Sequence, residues 1–365
     1  MVLRNCDMKT FSARCAGKKI ACYGIGSDFE RILKNYGGYP WTERVSYLVD
    51  NDPARRGRAY RLGDRVCSIL NLEDLLKEER SDLVIFITCS YYAQIVEQLN
   101  AVSELNQAEC YIFSFMYALS EYGRLCIRRR EEKRIPPTIH YCWFGKKELP
   151  DLYKRCIESW RRHCPEYRIV EWNEDTCDIG ENLFAKQAYE SGIYGFVPDY
   201  FRLKIIYEHG GVYLDTDVEL IKNLDDLRYN EAFCGMQGPG EAALGLGFGA
   251  VKRHPVIGNL LKRYQTAQFQ KADGTFEETA SPVWQTTDLR RLGMRYGTAM
   301  QEVCGMTVYP MEVLSPKNLL TGEVHITNYT YAIHHYDGSW ASGARREKNE
   351  KRKADAAAVR AMFVE

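Results

Sequence analysis

A chain of 365 residues is long enough for two domains, each able to bury its own core. Lysine plus arginine and aspartate plus glutamate both number 49, so no overall field draws the protein onto nucleic acid or a membrane, and any such attraction is local. The 13 cysteines are odd in number and never spaced as CxxC, which argues against a disulfide framework or a zinc knuckle; with no apolar leader and no run of ~18 apolar residues, a cytoplasmic protein is expected, at most peripheral at the inner face of a membrane.

Residues 1–17 form a tail without clear pattern. From Lys18, KKIACYGIGSDFERILKNYG reads as an apolar strand, a glycine turn and a helix. VSYLVDND follows as a strand ending in acid, then CSILNLEDLLKEE, the buried strand SDLVIFITCS and the helical YYAQIVEQLNAVSEL. Strands and helices alternating at this length predict a parallel sheet with right-handed crossovers over 18–122. Residues 123–134, with GRLCIRRREEKR, form a basic linker ahead of Pro136 and Pro137. A second α/β domain is expected over 135–340. It opens with the strand TIHYCWFG and continues with the helix LPDLYKRCIESWRRHCP, the strand YRIVEWNED, and helices from Leu183 to Gly192 and from Asp199 to His209. EAFCGMQ, the glycine-rich ALGLGFGAV, a helix through NLLKRYQTAQF and the closing AIHHYDGSW come later. Residues 341–365 form a basic C-terminal helix or tail. There is no internal repeat.

GGVYLDTDVEL, from Gly210 to Leu220, carries the chemistry. Read as a strand, it points Asp215 and Asp217 to one face, because residues i and i+2 share a side. Two carboxylates so placed repel, and burying them requires a cation or hydrogen bonds in compensation. Upstream, Asp199 and Arg202 are three apart and share a helix face; taken alone they read as a surface ion pair worth under about 1 kcal/mol.

The run IHYCWFG, CIESW, EWNED, PDYFRL and HGGVYLDTD resembles the DxD glycosyltransferases of the GT32 type, including those of capsule and exopolysaccharide clusters, with the large clostridial glucosylating toxins as more distant relatives. The resemblance covers roughly Ile135 to Trp340 and implies a GT-A fold. It implies a divalent ion, Mn²⁺ or Mg²⁺, held against the diphosphate of a nucleotide sugar, with a UDP-sugar favoured over a GDP-sugar. Hard carboxylate oxygens suit such ions. By this resemblance Asp217 contacts the metal directly, and Asp215 reaches the sugar or ribose or acts through water. Asp199 and Arg202 hold the donor sugar and neutralise the diphosphate. Tyr213 shares the strand face of Asp215 and Asp217 and is either a donor contact or a core tyrosine. Trp143 matches the position that stacks on the nucleotide base. His335 is the further metal-ligand candidate, Trp340 covers the donor, and His334 is expected to point the other way. The implied reaction is transfer of a hexose, with retention, to a saccharide acceptor that could be lipid-linked, in synthesis of a surface polysaccharide. Pro198, and the glycine-rich segment GEAALGLGFGAVKRHP, depart from the family pattern. The alternatives are a toxin-like protein glycosyltransferase and a non-catalytic scaffold that only holds a nucleotide sugar.

In the first domain, YGIGSDFERIL places Gly24 and Gly26 between a strand and a helix, with Asp50 at the end of the next strand. This partly matches a dinucleotide fingerprint, in which helix N–H groups hold a pyrophosphate and the acid a ribose. It resembles the Rossmann-like domains attached to many bacterial polysaccharide enzymes, and both a ligand-binding domain and a ligand-free scaffold remain open. The basic tail is either a solvated helix or a contact with anionic lipid.

Overall fold

The computed structural model describes residues 1–119, 125, 127, 131–338 and 343–364, which fall into two α/β units. The first comprises Met1–Glu121, Leu320–Glu323 and Glu347–Glu365. Its sheet runs in the order Val2–Arg4, Glu109–Ile112, Leu83–Ile87, Lys19–Tyr23, Val45–Val49, Arg65–Leu70 and Ala59–Leu62. Every pairing is parallel except that of the last two strands. Leu83–Ile87 is buried at all positions, which is what a central parallel strand covered on both faces demands. The order of addition reverses at Lys19–Tyr23, with later strands added on its other side.

Two elements of this unit lie where the sequence shows no pattern. Val2–Arg4 is a strand too short to display alternation, and Met8–Arg14 is a helix whose N-cap, Asp7, accepts from Lys9 N and Thr10 N. The C-terminal helix, Gly343–Arg360, contributes Ala356 and Val359 to the same core as Leu3, Tyr92 and Leu99. Beyond it, the Phe363 ring lies 5.0 Å from that of Phe115, and Val364 N donates to Leu3 O. The basic residues Lys348, Lys351 and Lys353 remain exposed on the helix. No helix among the described residues is long and apolar enough to cross a membrane.

The second unit comprises Tyr122–Leu319 and Val324–Arg346. Its seven-stranded mixed sheet runs Gln301–Val303, Met306–Tyr309, Ala232–Gly238, Glu241–Ala250, Gly211–Tyr213, Thr138–Cys142, Arg168–Trp172. Gly211–Tyr213 lies parallel to Thr138–Cys142, with Val212 opposite Ile139, and antiparallel to Glu241–Ala250, with Tyr213 opposite Phe248. A separate antiparallel ladder pairs Val218–Leu220 with Ala332–His334. The helix Val197–His209 carries Pro198 in its first turn, where a missing N–H costs nothing. It ends at Gly210, and Gly211 enters the sheet at φ +103°. A Cβ at Gly211 would sit 2.8 Å from Thr138 O and 2.9 Å from His140 Nε2, so glycine is what lets this strand close on its neighbour.

The helix Asp151–His163 begins with an acid and ends with Arg161, Arg162 and His163, matching its dipole. It grips the small ladder: Trp160 Nε1 donates to Val218 O at 2.7 Å, and Leu220 N donates to Ser159 Oγ at 2.9 Å. Ile139, Trp160, Val212, Leu214, Val218, Leu220 and Leu314 form one buried cluster beneath this junction.

Candidate functional site

Asp215 and Asp217 leave the sheet. The strand stops at Tyr213, and the two aspartates lie in the turn that joins it to Val218–Leu220, closed by Val218 N donating to Asp215 O at 3.0 Å. The expectation of an uninterrupted strand is therefore corrected: the chain must swing from the large sheet to the two-stranded ladder, and it turns at the DTD. The carboxylates still meet, because the turn is anchored at both ends. Leu214 N donates to His140 O, Asp215 N to Gly245 O, and His335 N to Asp217 O.

Asp199 and Arg202 form a buried pair, with Arg202 Nη2 donating to Asp199 Oδ1 at 2.7 Å and side-chain exposures of 6% for Arg202 and 7% for Asp199. The same guanidinium stands 3.5 Å from Asp215 Oδ2, and Arg202 Nε donates to Pro198 O. It also lies 5.4 Å from the centre of the Tyr213 ring. Tyr213 is buried beneath it, packed on Phe248, which places it in the core. Burial pushes the Asp199 carboxyl up to about 6, against the pull of Arg202 and with Asp215 adding to the rise; a Ser281 hydroxyl bond opposes it. Burial likewise raises Asp215, with Arg202 opposing. For Arg202 burial acts downward, but Asp215 and Asp199 together hold it firmly charged.

Gly245, on the strand beside the turn, makes this convergence possible. A Cβ there would lie 2.3 Å from Asp215 Oδ2 and 2.7 Å from Arg202 Nη1.

The histidine assignment is reversed. His334 Nε2 lies 3.0 Å from Asp217 Oδ1, whereas His335 turns away and sets its Nε2 2.9 Å from Glu219 Oε2. Alternation between the neighbours holds, as expected of an extended segment. Its phase, however, is set by where the chain leaves the ladder, which no local pattern encodes. Asp215, Asp217 and His334 each offer one ligand atom, and these atoms lie within 4.8 Å of one another. Two carboxylate oxygens suit Mn²⁺ or Mg²⁺ with positions left over for phosphate oxygens, and the imidazole nitrogen favours Mn²⁺ of the two, so the residues fit the ion implied by the DxD. Burial works against the Asp217 charge, but the His334 charge and hydrogen bond, with the Asp337 N–H, hold the carboxyl down at about 2. For His334 burial lowers the pKa, and Asp217 and Asp215 outweigh it, leaving the imidazole above its ordinary value.

Trp143 is half-buried, its Nε1 donating to Lys147 O and its ring edge-on to Tyr153 at 5.5 Å. Trp340 lies outside the described residues, as do residues 123, 124, 126 and 128–130 of the basic linker. In the first unit, Gly24 takes φ +97° and Gly26 is the N-cap of the helix Ser27–Tyr36. Asp50 Oδ2 accepts from Ile25 N at 2.7 Å, Asp50 Oδ1 from Asp52 N, and Arg55 donates to Ile25 O. The loop thus spends its acid and its nearest cation on itself. The helix also opens with Asp28 and Glu30, whose charges oppose an anion at its N-terminus.

Ser281, Tyr153, Asp337 and Gly245 belong to this site but carry no sequence signal. Tyr153 and Asp337, hydrogen-bonded at 2.7 Å, are 184 residues apart.

Residues 150–234 match the family described as glycosyltransferase sugar-binding region containing DXD motif. The chain is similar to the initiation-specific alpha-1,6-mannosyltransferase of Candida albicans, at 27% identity over 106 residues, 26% of this chain and 28% of that protein. It is also similar to inositol phosphoceramide mannosyltransferase 1 of Schizosaccharomyces pombe, at 26% identity over 155 residues, 39% of this chain and 47% of that one. The chain thus spans less than half the length of either relative. Among solved structures, a glycosyltransferase involved in glycosylation of the major capsid of PBCV-1 aligns with a TM-score of 0.33 and 12% identity, covering 59% of this chain and 98% of that one.

Proposed function

We propose that this chain is a divalent-metal-dependent glycosyltransferase of the GT-A type that moves a hexose from a nucleotide sugar to a saccharide acceptor. The observation that carries the reading is the convergence of Asp215, Asp217 and His334 within 4.8 Å, beside the Asp199–Arg202 pair. Three carboxylates face one guanidinium and one imidazole there, an excess of negative charge that a divalent cation offsets. The match of residues 150–234 to a DXD sugar-binding region supports it.

Asp215, Asp217 and His334 would hold the ion, which when bound supplies Lewis-acid stabilisation to a departing diphosphate. Arg202, pinned between Asp199 and Asp215, presents a fixed positive charge that needs no reorganisation as the leaving group gains charge. Asp199 accepts from donor-sugar hydroxyls, and Trp143 offers a ring to the base. We favour front-face transfer with retention: the bond from C1 to the diphosphate oxygen breaks, one from C1 to the acceptor oxygen forms, and the acceptor proton passes to the diphosphate. Mannose leads the donor panel because relatives are named mannosyltransferases. Surface-polysaccharide assembly in the cytoplasm, with a lipid-linked acceptor, is the wider setting proposed. The first unit is read as a Rossmann-like scaffold, because its glycine turn is closed by Asp50 and Arg55; saturable binding of NAD or a nucleotide sugar that is lost in Asp50→Ala would overturn this.

The test is nucleotide release from a panel of UDP- and GDP-sugars with Mn²⁺, Mg²⁺ or EDTA. Metal-dependent hydrolysis of one donor, lost in Asp217→Asn, is expected. Hydrolysis that persists in EDTA, or in the variant, would refute the metal assignment, and neither binding nor hydrolysis of any donor would refute the transferase reading.

A further inference from the structure

Asp217 is held from two directions by a single helix. Its Oδ2 accepts the backbone N–H of Asp337 at 3.0 Å. That N–H is brought round by Tyr336, which sits at φ +54°, an unfavourable backbone for a residue with a Cβ. The turn is kept by Tyr336 itself: its hydroxyl meets Ser315 Oγ at 2.6 Å and its ring packs edge-on against His334 at 4.2 Å. What fixes Asp337 is Tyr153, buried in the first turn of Asp151–His163, whose hydroxyl donates to Asp337 Oδ2 at 2.7 Å. Two turns further along the helix, Trp160 holds the carbonyl of Val218, the residue after Asp217.

We propose that Tyr153 is a positioning residue for the metal-binding carboxylate. Its hydroxyl fixes Asp337, the Asp337 N–H orients Asp217, and its ring edge sets the plane of Trp143, so one side chain aligns the base wall with the carboxylate. The inference rests on the reading of Asp217 as a ligand to a divalent ion. A tyrosine that only filled the core would need an acceptor of some kind, but not one whose backbone is already committed to Asp217. Partners in this outer position set ligand orientation, and their loss commonly weakens metal binding about 10–100-fold.

The experiment compares the full chain with Tyr153→Phe, Asp337→Ala, their double variant and Asp337→Asn, which keeps an acceptor for the hydroxyl. Amide hydrogen exchange over residues 335–338 is read without metal, Mn²⁺ affinity by calorimetry, and donor kcat and KM at saturating Mn²⁺. Tyr153→Phe is expected to speed exchange at Asp337 and weaken Mn²⁺ binding about tenfold, with donor KM within about twofold because the ring against Trp143 remains. The double variant should be no worse than Asp337→Ala, and Asp337→Asn should keep the exchange protection. Wild-type exchange and wild-type Mn²⁺ affinity in Tyr153→Phe would overturn the proposal. A wild-type protein that binds no Mn²⁺ would instead sink the metal reading, and the exchange measurement would still judge the relay.

Discussion

Gly245→Ala is the sharpest test of how the site is packed. Gly245 has an ordinary backbone conformation, so alanine brings no φ penalty, and any effect comes from the added methyl group. That methyl would stand 2.3 Å from Asp215 Oδ2, 2.7 Å from Arg202 Nη1 and 3.2 Å from Asp215 Cγ. Ordinary contact begins near 3.4 Å, so the carboxylate or the strand must give by about 1 Å. The carboxylate cannot retreat freely, because Arg202 faces it and its own N–H is bonded to Gly245 O at 3.2 Å. Overpacking of this kind costs about 1–3 kcal/mol, which for a domain of this size lowers the Tm by roughly 2–4 °C per kcal/mol. A displacement of about 1 Å at a reacting group can cost on the order of 100-fold in rate. The assay is thermal melting together with metal-dependent donor hydrolysis, with Gly38→Ala, where a Cβ meets nothing within 4 Å, as control. A Gly245→Ala protein that melts and turns over like wild type would refute the claim that this glycine sets the Asp215–Arg202 geometry.

Three further outcomes are expected. Arg202→Met strands the buried Asp199 and the partly buried Asp215 and should cost up to about 3–5 kcal/mol, seen as a lower denaturation midpoint; Asp199→Asn in that background should recover part of it. Without metal, stability should depend on pH in a defined way. Asp217, held at about 2, contributes stability that is present above its ordinary 3.8 and lost as pH falls towards 2. His334, shifted upward, contributes stability present below 6.5 and lost as pH rises through its raised value. Asp199, raised from 3.8 to about 6, costs the folded state stability progressively as pH rises between those two values, and the cost stays constant above them. The Tm of the metal-free protein should therefore fall from mildly acidic to alkaline pH, while Mn²⁺ affinity, which needs neutral His334, should fall about tenfold per pH unit below the raised value. Deleting residues 347–365 removes Ala356 and Val359 from the first unit's core and should destabilise that unit by roughly 3 kcal/mol or more; unchanged melting would show that the helix does not support it.

The alternation of apolar strands and helices was enough to foresee two α/β units, because buried parallel strands and their crossover helices write their burial into consecutive residues. Asp199, Arg202, Asp215 and Asp217 were legible because each pair lies within three residues; one helix face brings Asp199 and Arg202 together, whereas Asp215 and Asp217 meet in a turn anchored by His140 O, Gly245 O and His335 N. Their environment was not. A helix pair that reads as a surface ion pair is buried, and Asp215 reaches it from the turn after Gly211–Tyr213, an approach that depends on Gly245 lacking a Cβ. The choice of His334 over His335 depends on where the segment leaves its ladder with Val218–Leu220, a property of register between residues more than 100 apart. Tyr153 met Asp337, and the C-terminal helix joined the N-terminal core, only once the chain had folded. Period and spacing report which face a residue takes on its own element; what stands opposite that face is decided by packing, and only the tertiary structure contains it.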